Sequence, residues 1–330
     1  MSARFENGFG GRVAVVTGGG TGMGREMVLR LTAEGCDVAT CDVIEENLAE
    51  TARLVREAGN KGELLTHIAD VSVESQVLAF RDAVRAWRPT INLLFNNAGI
   101  GGGGSFLNDS RETWDKTFAV CFYGVYYNCR AFMDMLLAAD AAHIINTSSV
   151  NGFWATLGPT TSHTAYSSAK FAVKGFTESL ITDLRINAPH VRASVVMPGH
   201  IGTHIFINSG RLHGAEPKDM TAAEIDVVRQ RMSKNLKVDL SGVSDDDIRA
   251  GIVAQQEGFR DNAPTTAGEA ADIILNGVRA GEWRILVGED AIVLDEEVRK
   301  NPWIAYDPQF VDHLHARGQF MNLVRPATDA

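Results

Sequence analysis

The stretch SHTAYSSAK, residues 162–170, sets five hydroxyl-bearing side chains, one imidazole and one lysine in nine positions. Tyr166 and Lys170 stand four apart, so on a helix they share a face, a phenol beside an ammonium. That pair is an acid/base device once a substrate is brought to it. A free phenol titrates near about 10, so proton exchange at neutral pH needs a shift of roughly three units, or about 4 kcal/mol in favour of the phenolate. A neighbouring ammonium has the sign to supply it. The spacing alone decides little, because Tyr-x-x-x-Lys arises by chance in roughly every second or third chain of this size. Ser162, Thr164, Ser167 and Ser168 read as helix-start and packing residues. The elements around the pair must settle its meaning.

Short β-rich runs alternate with longer helical patterns: RVAVVT (12–17), DVATC (37–41), LLTHI (64–68), INLLF (91–95), HIINTS (143–148) and VRASVV (191–196), with helix-like stretches at 24–34, 45–58, 73–87, 111–138 and 164–187. Nearly continuous apolar strands separated by helices mean a parallel sheet covered on both faces, an α/β, doubly wound fold. After residue 203 a polar region, about 204–264, interrupts the pattern with two expected helices, 221–235 and 245–258. Ser244 is the expected N-cap of the second, with Asp247 at the capping-box position. A helix near 267–279 and a strand at 284–288 resume the core, and 289–330 stays unassigned.

Composition limits the partners. A chain of 330 residues with 45% hydrophobic content builds a substantial core, in one large domain or two ordinary ones. No run approaches a membrane span, and the start MSARFENGFGG lacks the pattern of a secretory leader, so a cytoplasmic protein is expected. Cys36, Cys41, Cys121 and Cys129 show neither a CxxC pair nor zinc spacing, so free buried thiols are expected. His200 and His204 are spaced like a metal pair but have no evident third ligand, and no metal is expected. A net charge of −10 without a basic cluster argues against nucleic acid or an anionic membrane and for a small molecule.

RVAVVTGGGTGMGREM (12–27) is a strand, a glycine-rich turn and a helix, the context a dinucleotide fingerprint requires. Gly18 suits the tight turn, Gly22 a close approach of backbone to the pyrophosphate, and Gly24 close helix packing. Backbone N–H groups and the helix dipole favour the phosphates. Asp42 ends the second strand near the offset of a carboxylate that grips ribose hydroxyls, and it would repel a 2′-phosphate. With no basic residue within the loop or directly after Asp42, NAD is favoured over NADP.

The chain resembles the short-chain dehydrogenase/reductase family. TGGGTGMG (17–24), NNAG (96–99), the set Ser149, Tyr166 and Lys170, and MPGHIGT (197–203) match its motifs in order, each at a strand end, over about 12–203 and again 267–288. The resemblance implies one Rossmann-type domain over 1–330, with strand order 3-2-1-4-5-6-7, a lid insertion at about 204–264 and a C-terminal extension at about 289–330. It implies Tyr166 as general acid/base, Lys170 lowering the tyrosine pKa and holding the nicotinamide ribose, and Ser149 bonding the substrate oxygen. Gly18, Thr21, Gly22, Met23 and Gly24 would form the phosphate turn. Asp70 and Val71 would touch the adenine end, Asn97, Ala98 and Gly99 the adenosine ribose, and Pro198, Gly199, Ile201 and Thr203 the carboxamide. Members commonly form dimers or tetramers, and the edge strand RILVG with the helix before it is the expected interface.

Two departures stand out. Cys121 occupies the place of a family asparagine thought to bend the helix and hold, through its carbonyl, a water leading to the lysine. A thiol lacks the amide's hydrogen bonds, although the carbonyl persists. Ser149 and Tyr166 are also 17 apart, a few residues more than the family pattern, so Phe153, Trp154, Leu157 and His163 are expected to wall a substrate pocket. The lid suggests a bulky substrate. The leading expectation is an NAD-dependent oxidoreductase that interconverts a bulky, largely apolar secondary alcohol and its ketone. A catalytically silent NAD-binding sensor or interaction protein is the alternative. A sugar-nucleotide epimerase is disfavoured by the form of the glycine loop.

Overall fold

A short apolar strand followed by an amphipathic helix must fold back on itself to bury both faces. Repetition of that unit builds the computed structural model of the chain, which describes residues 5–236, 238–321 and 323. The rest of the 1–330 span, including position 237 of the lid and positions 322 and 324–330 of the C-terminal extension, lies outside the described residues. The strands are β1 (Val13–Thr17), β2 (Asp37–Asp42), β3 (Leu64–Ile68), β4 (Leu93–Asn96), β5 (Ala142–Thr147), β6 (Val191–Pro198), β7 (Ile201–Gly202), β8 (Thr265–Thr266) and β9 (Arg284–Val287). Seven of them form one parallel sheet in the order β3-β2-β1-β4-β5-β6-β9, and β7 pairs with β8 alone. This is the expected order, with β9 as the seventh strand.

The sheet order reverses between β1 and β4, whose register pairs Val16 with Phe95. In such sheets the crevice beyond the carboxyl ends of the strands is where ligands lie. Thr17, Asp42, Asn96, Thr147 and Pro198 all reach that edge.

The helices are α1 (Gly22–Ala33), α2 (Glu45–Glu57), α3 (Glu74–Trp87), α4 (Arg111–Phe118), α5 (Gly124–Leu137), α6 (Thr164–Asn187), α7 (Ile205–Leu212), α8 (Ala222–Leu236), α9 (Asp245–Asp261), α10 (Ala267–Ala280), α11 (Glu289–Lys300) and α12 (Phe310–Ala316). One core joins α1 and α10 to the sheet through Met27, Leu31, Ile274 and Leu275. The other joins α3, α5 and α6 to the opposite face through Phe80, Phe132 and Val173. A third, smaller core sets Ala291 and Leu294 of α11 and Phe310 and Leu314 of α12 against Val150 and Trp154.

The helix expected over 111–138 is broken by a π-helical turn at Ala119–Tyr123. Within it the buried Cys121 points its Sγ at the Ile100 carbonyl, 3.2 Å away. Such turns insert an extra residue into a helix without ending it, which no hydrophobic period reveals. Ser244 caps α9 as expected, its Oγ accepting from Asp247 N–H. The insertion holds one more helix than expected, α7. The tail contributes α11 and α12, with Glu289 and Asp290 in the first turn of α11, where carboxylates suit the helix dipole. No helix among the described residues is long and apolar enough to cross a membrane.

Candidate active site

Where β1 ends, the chain turns through Gly18 at φ 70°, and a Cβ there would lie 2.9 Å from the Ala98 Cα. A Cβ on Gly24 would overlap the Gly18 carbonyl and reach 2.7 Å from Asn97 Nδ2, so only glycine lets α1 begin this close to β1 and β4. Gly22 faces the Thr203 side chain across the opening. Thr17 Oγ1 accepts from the N–H groups of Asn97 and Ala98, both at 3.1 Å, and Asn97 Nδ2 donates to the Thr17 carbonyl at 3.1 Å. Asn97 thereby ties β1 to β4. Its Oδ1 is buried with no partner, an acceptor left over between the two strands.

Asp42 takes the Gly20 N–H on Oδ2 at 2.9 Å and the Ile44 N–H on Oδ1 at 3.0 Å. Burial raises its pKa, while those N–H groups and Arg25 act in the opposite direction. Arg25, not singled out in the sequence, sits beneath the loop and donates to the carbonyls of Gly20 and Asn47 and to Thr51 Oγ1. Asp70 closes its own turn by accepting from Ser72 N and Oγ at 2.8 and 2.6 Å.

Gly18, Thr21, Gly22, Met23, Asp42, Asp70, Val71, Asn97, Ala98 and Gly99 line a cavity over these strand ends. A second cavity, lined by Ser149, Tyr166, Lys170, Pro198, Gly199, Ile201 and Phe259, shares Met23, Asn97, Gly99, Thr203 and Ile205 with the first, so the two form one groove. A carboxylate at one end, a glycine turn at a helix N-terminus and a spare amide acceptor fit an extended molecule that carries phosphates and ribose hydroxyls.

At the other end, α6 brings Tyr166 and Lys170 to the groove within its first two turns. Lys170 is buried, with Nζ donating to the Thr147 carbonyl at 2.9 Å and lying 5.3 Å from the Tyr166 ring centre. Ser148 Oγ donates to the Lys170 carbonyl at 2.7 Å and fastens the end of β5 to α6. Ser149 follows, its Oγ accepting from Asn151 N–H at 3.1 Å.

Burial raises the Tyr166 pKa, and the Ser149 hydroxyl acts in the opposite direction. Burial also draws Lys170 towards its neutral form. Burial therefore sets the direction of both shifts. Withdrawal from water disfavours both charged forms.

The residues expected to wall a substrate pocket are dispersed. His163 stacks on the Tyr166 ring, with centroids 4.7 Å apart at 22°, and burial lowers its pKa to about 4. Trp154 turns away, donating from Nε1 to the Ala305 carbonyl at 2.6 Å and packing on Phe310 at 5.9 Å. Phe153 lies under the Arg284 guanidinium at 5.7 Å, and Leu157 is exposed. None of the four lines the groove. The residues between Ser149 and Tyr166 instead meet the C-terminal helices, which offer the aromatics apolar cover.

The insertion supplies walls that no motif announced. α7 lends Ile205, Asn208 and Leu212, with Asn208 Nδ2 3.2 Å from Thr21 Oγ1, and α9 lends Phe259. All four cysteines are free and buried.

Residues 12–211 match the family model described as short chain dehydrogenase. The chain is 31% identical over 287 residues to a putative oxidoreductase, SadH, of Mycobacterium tuberculosis, an alignment covering 87% of this chain and 90% of that protein. A short chain dehydrogenase/reductase from Burkholderia phymatum, solved in complex with NAD, superimposes with a TM-score of 0.69 at 28% identity, over 89% of this chain and 96% of that one. A metagenomic short-chain oxidoreductase solved with NADP gives a TM-score of 0.52 at 33% identity, over 58% and 83% of the two chains.

Proposed function

The chain belongs to the short chain dehydrogenase family, and we propose that it is an NAD-dependent oxidoreductase interconverting a bulky, largely apolar secondary alcohol and its ketone. One observation carries the reading: Ser149, Tyr166 and Lys170 converge at one end of a groove whose other end is Asp42. A silent sensor does not call for that convergence, and an epimerase is disfavoured by the form of the glycine loop. NAD is preferred because Asp42 lines the groove at the proposed ribose end, where its carboxylate would repel a 2′-phosphate, while Arg25 directs its hydrogen bonds to carbonyls and Thr51. The Burkholderia relative's NAD supports this choice, and the NADP of the metagenomic relative makes the cofactor comparison essential.

Gly18, Thr21, Gly22 and Met23 would hold the phosphates, with Gly24 letting α1 start close beneath them. Asp42, Asp70, Val71, Asn97, Ala98 and Gly99 hold the adenosine half, and Lys170, Pro198, Gly199, Ile201 and Thr203 the nicotinamide half. Bound there, an oxidised nicotinamide dinucleotide would supply the two-electron chemistry. Ser149 Oγ steadies the substrate oxygen as charge develops on it. Tyr166 Oη takes the hydroxyl proton in oxidation and returns it in reduction. Lys170, whose ammonium lies beside the phenol in a water-poor setting, favours the phenolate in the step that needs it and anchors the ribose. Ile201, Ile205, Met23 and Phe259 leave an apolar space suited to a large alcohol.

The same reading includes a homodimer or homotetramer and a cytoplasmic setting, the latter supported by four buried free thiols. The test is purified protein with NAD+ or NADP+ and a panel of bulky secondary alcohols, followed by absorbance of the reduced cofactor. Turnover that is stronger with NAD+ supports the proposal. Absence of turnover across the panel contradicts it.

A further inference from the structure

His200 follows the Pro198–Gly199 turn, and its imidazole points at α9. Its Nε2 is 2.7 Å from the Phe259 carbonyl, and its ring stacks on the Phe259 ring with centroids 4.2 Å apart at 30°. A carbonyl only accepts, so Nε2 carries the proton and donates it. The Phe259 ring also meets Phe206 of α7 at 4.2 Å, and it lines the cavity that holds Ser149, Tyr166 and Lys170.

The backbone of His200 is held from the other side. Its N–H donates to Asp290 Oδ2 at 2.6 Å, and Gly199 N–H donates to the Val287 carbonyl at 3.0 Å. Asp290 is 4% exposed, and a Cβ on Gly199 would overlap its carboxylate, so the turn rests directly on this group. A continuous set of contacts thus runs from the first turn of α11, through residues 199–200, into the imidazole and on to an aromatic wall of the cavity.

We infer that His200 is a positioning residue that latches α9 to the β6 turn and, through Phe259, sets the size of substrate the cavity accepts. The inference rests on the alcohol dehydrogenase reading of this groove. His200 is absent from both cavity walls and so acts through Phe259, leaving proton transfer to Tyr166. Loss of the imidazole frees Phe259 and removes apolar contact from the largest substrates first.

The test compares wild type, His200→Ala, His200→Gln and Phe259→Leu with secondary alcohols of rising size. NADH titration and hydrogen exchange across 245–261 run alongside. His200→Ala is expected to raise KM for the largest alcohol about tenfold or more, while kcat changes less than about threefold and NADH affinity less than about twofold. Exchange near the C-terminal end of α9 should accelerate in the same variant. His200→Gln, which restores an N–H donor, should recover most of both effects, and Phe259→Leu should repeat the KM pattern. Unchanged exchange in His200→Ala, a KM rise equal for small and large alcohols, or a parallel loss of NADH affinity overturns the latch. If wild type turns over no alcohol, the dehydrogenase reading and the specificity claim fall together, and exchange alone decides whether His200 holds α9.

Discussion

A carboxylate that accepts two backbone N–H groups at the end of β2 is a fixed negative charge, and Asp42 is expected to choose the cofactor by repulsion. Asp42→Ala should weaken NAD and narrow the NAD to NADP ratio of kcat/KM by about tenfold or more, since like charges brought together cost several kcal/mol. An unchanged ratio would place the choice elsewhere. Two imidazoles carry a different consequence. Burial lowers His163 to about 4 and His143 to about 3, so between these values and the ordinary 6.5 the unfolded chain binds more protons than the folded one. Stability should therefore fall as pH drops from 6.5 towards 4, each histidine adding a slope of up to about 1.4 kcal/mol per unit. Denaturant titrations at pH 7, 5.5 and 4.5 check this, and His163→Asn should flatten the decline. Asp42, Tyr166 and Lys170 were legible in the sequence because a charge or phenol at a strand end or helix start has few structural duties. Phe259 and Asn208 were not, since an aromatic or an amide in a polar insertion gains its meaning only when α7 and α9 fold over a groove far away in sequence.

The strands and most helices were legible as elements because burial on both faces leaves uninterrupted apolar runs. The π turn at Ala119–Tyr123 left no trace, because one inserted residue barely disturbs a helical period. The C-terminal helices were hidden for another reason. Part of their apolar face covers Val150 and Trp154, the latter expected from the sequence to wall a substrate pocket. Trp154 is accordingly expected to be structural: Trp154→Ala should cost about 3–5 kcal/mol in urea unfolding by emptying a core position. Trp154→Phe keeps a ring but leaves the Ala305 carbonyl without its donor, and should cost about 1–3 kcal/mol. A Trp154→Ala variant as stable as wild type, with KM altered for bulky alcohols alone, would return this residue to the substrate pocket. Ser149 starts the segment that Trp154 anchors, so kcat should decline along with stability.

For the whole molecule, the sheet ends at β9, which among the described residues pairs only with β6, while Trp283 beside it and Ile273 on α10 remain partly exposed. A homodimer or homotetramer that uses this edge is expected, and sedimentation at micromolar concentration showing only a 35.7 kDa species would contradict it. The groove itself spans the sheet's switch point, from Asp42 on β2 to Tyr166 on α6, and in the proposed reading it would join cofactor choice to proton transfer. The phenolic oxygen is where that account is most exposed. Tyr166→Phe should keep the ring, the stack on His163 and the fold, and remove only the oxygen proposed to exchange the proton. Turnover of this variant, measured beside an NADH binding titration, should fall by about a hundredfold or more, roughly 3 kcal/mol, with NADH affinity nearly unchanged. Near-normal turnover would show that another group carries the proton, and equal loss of binding and turnover would show damage to the site in place of the chemistry.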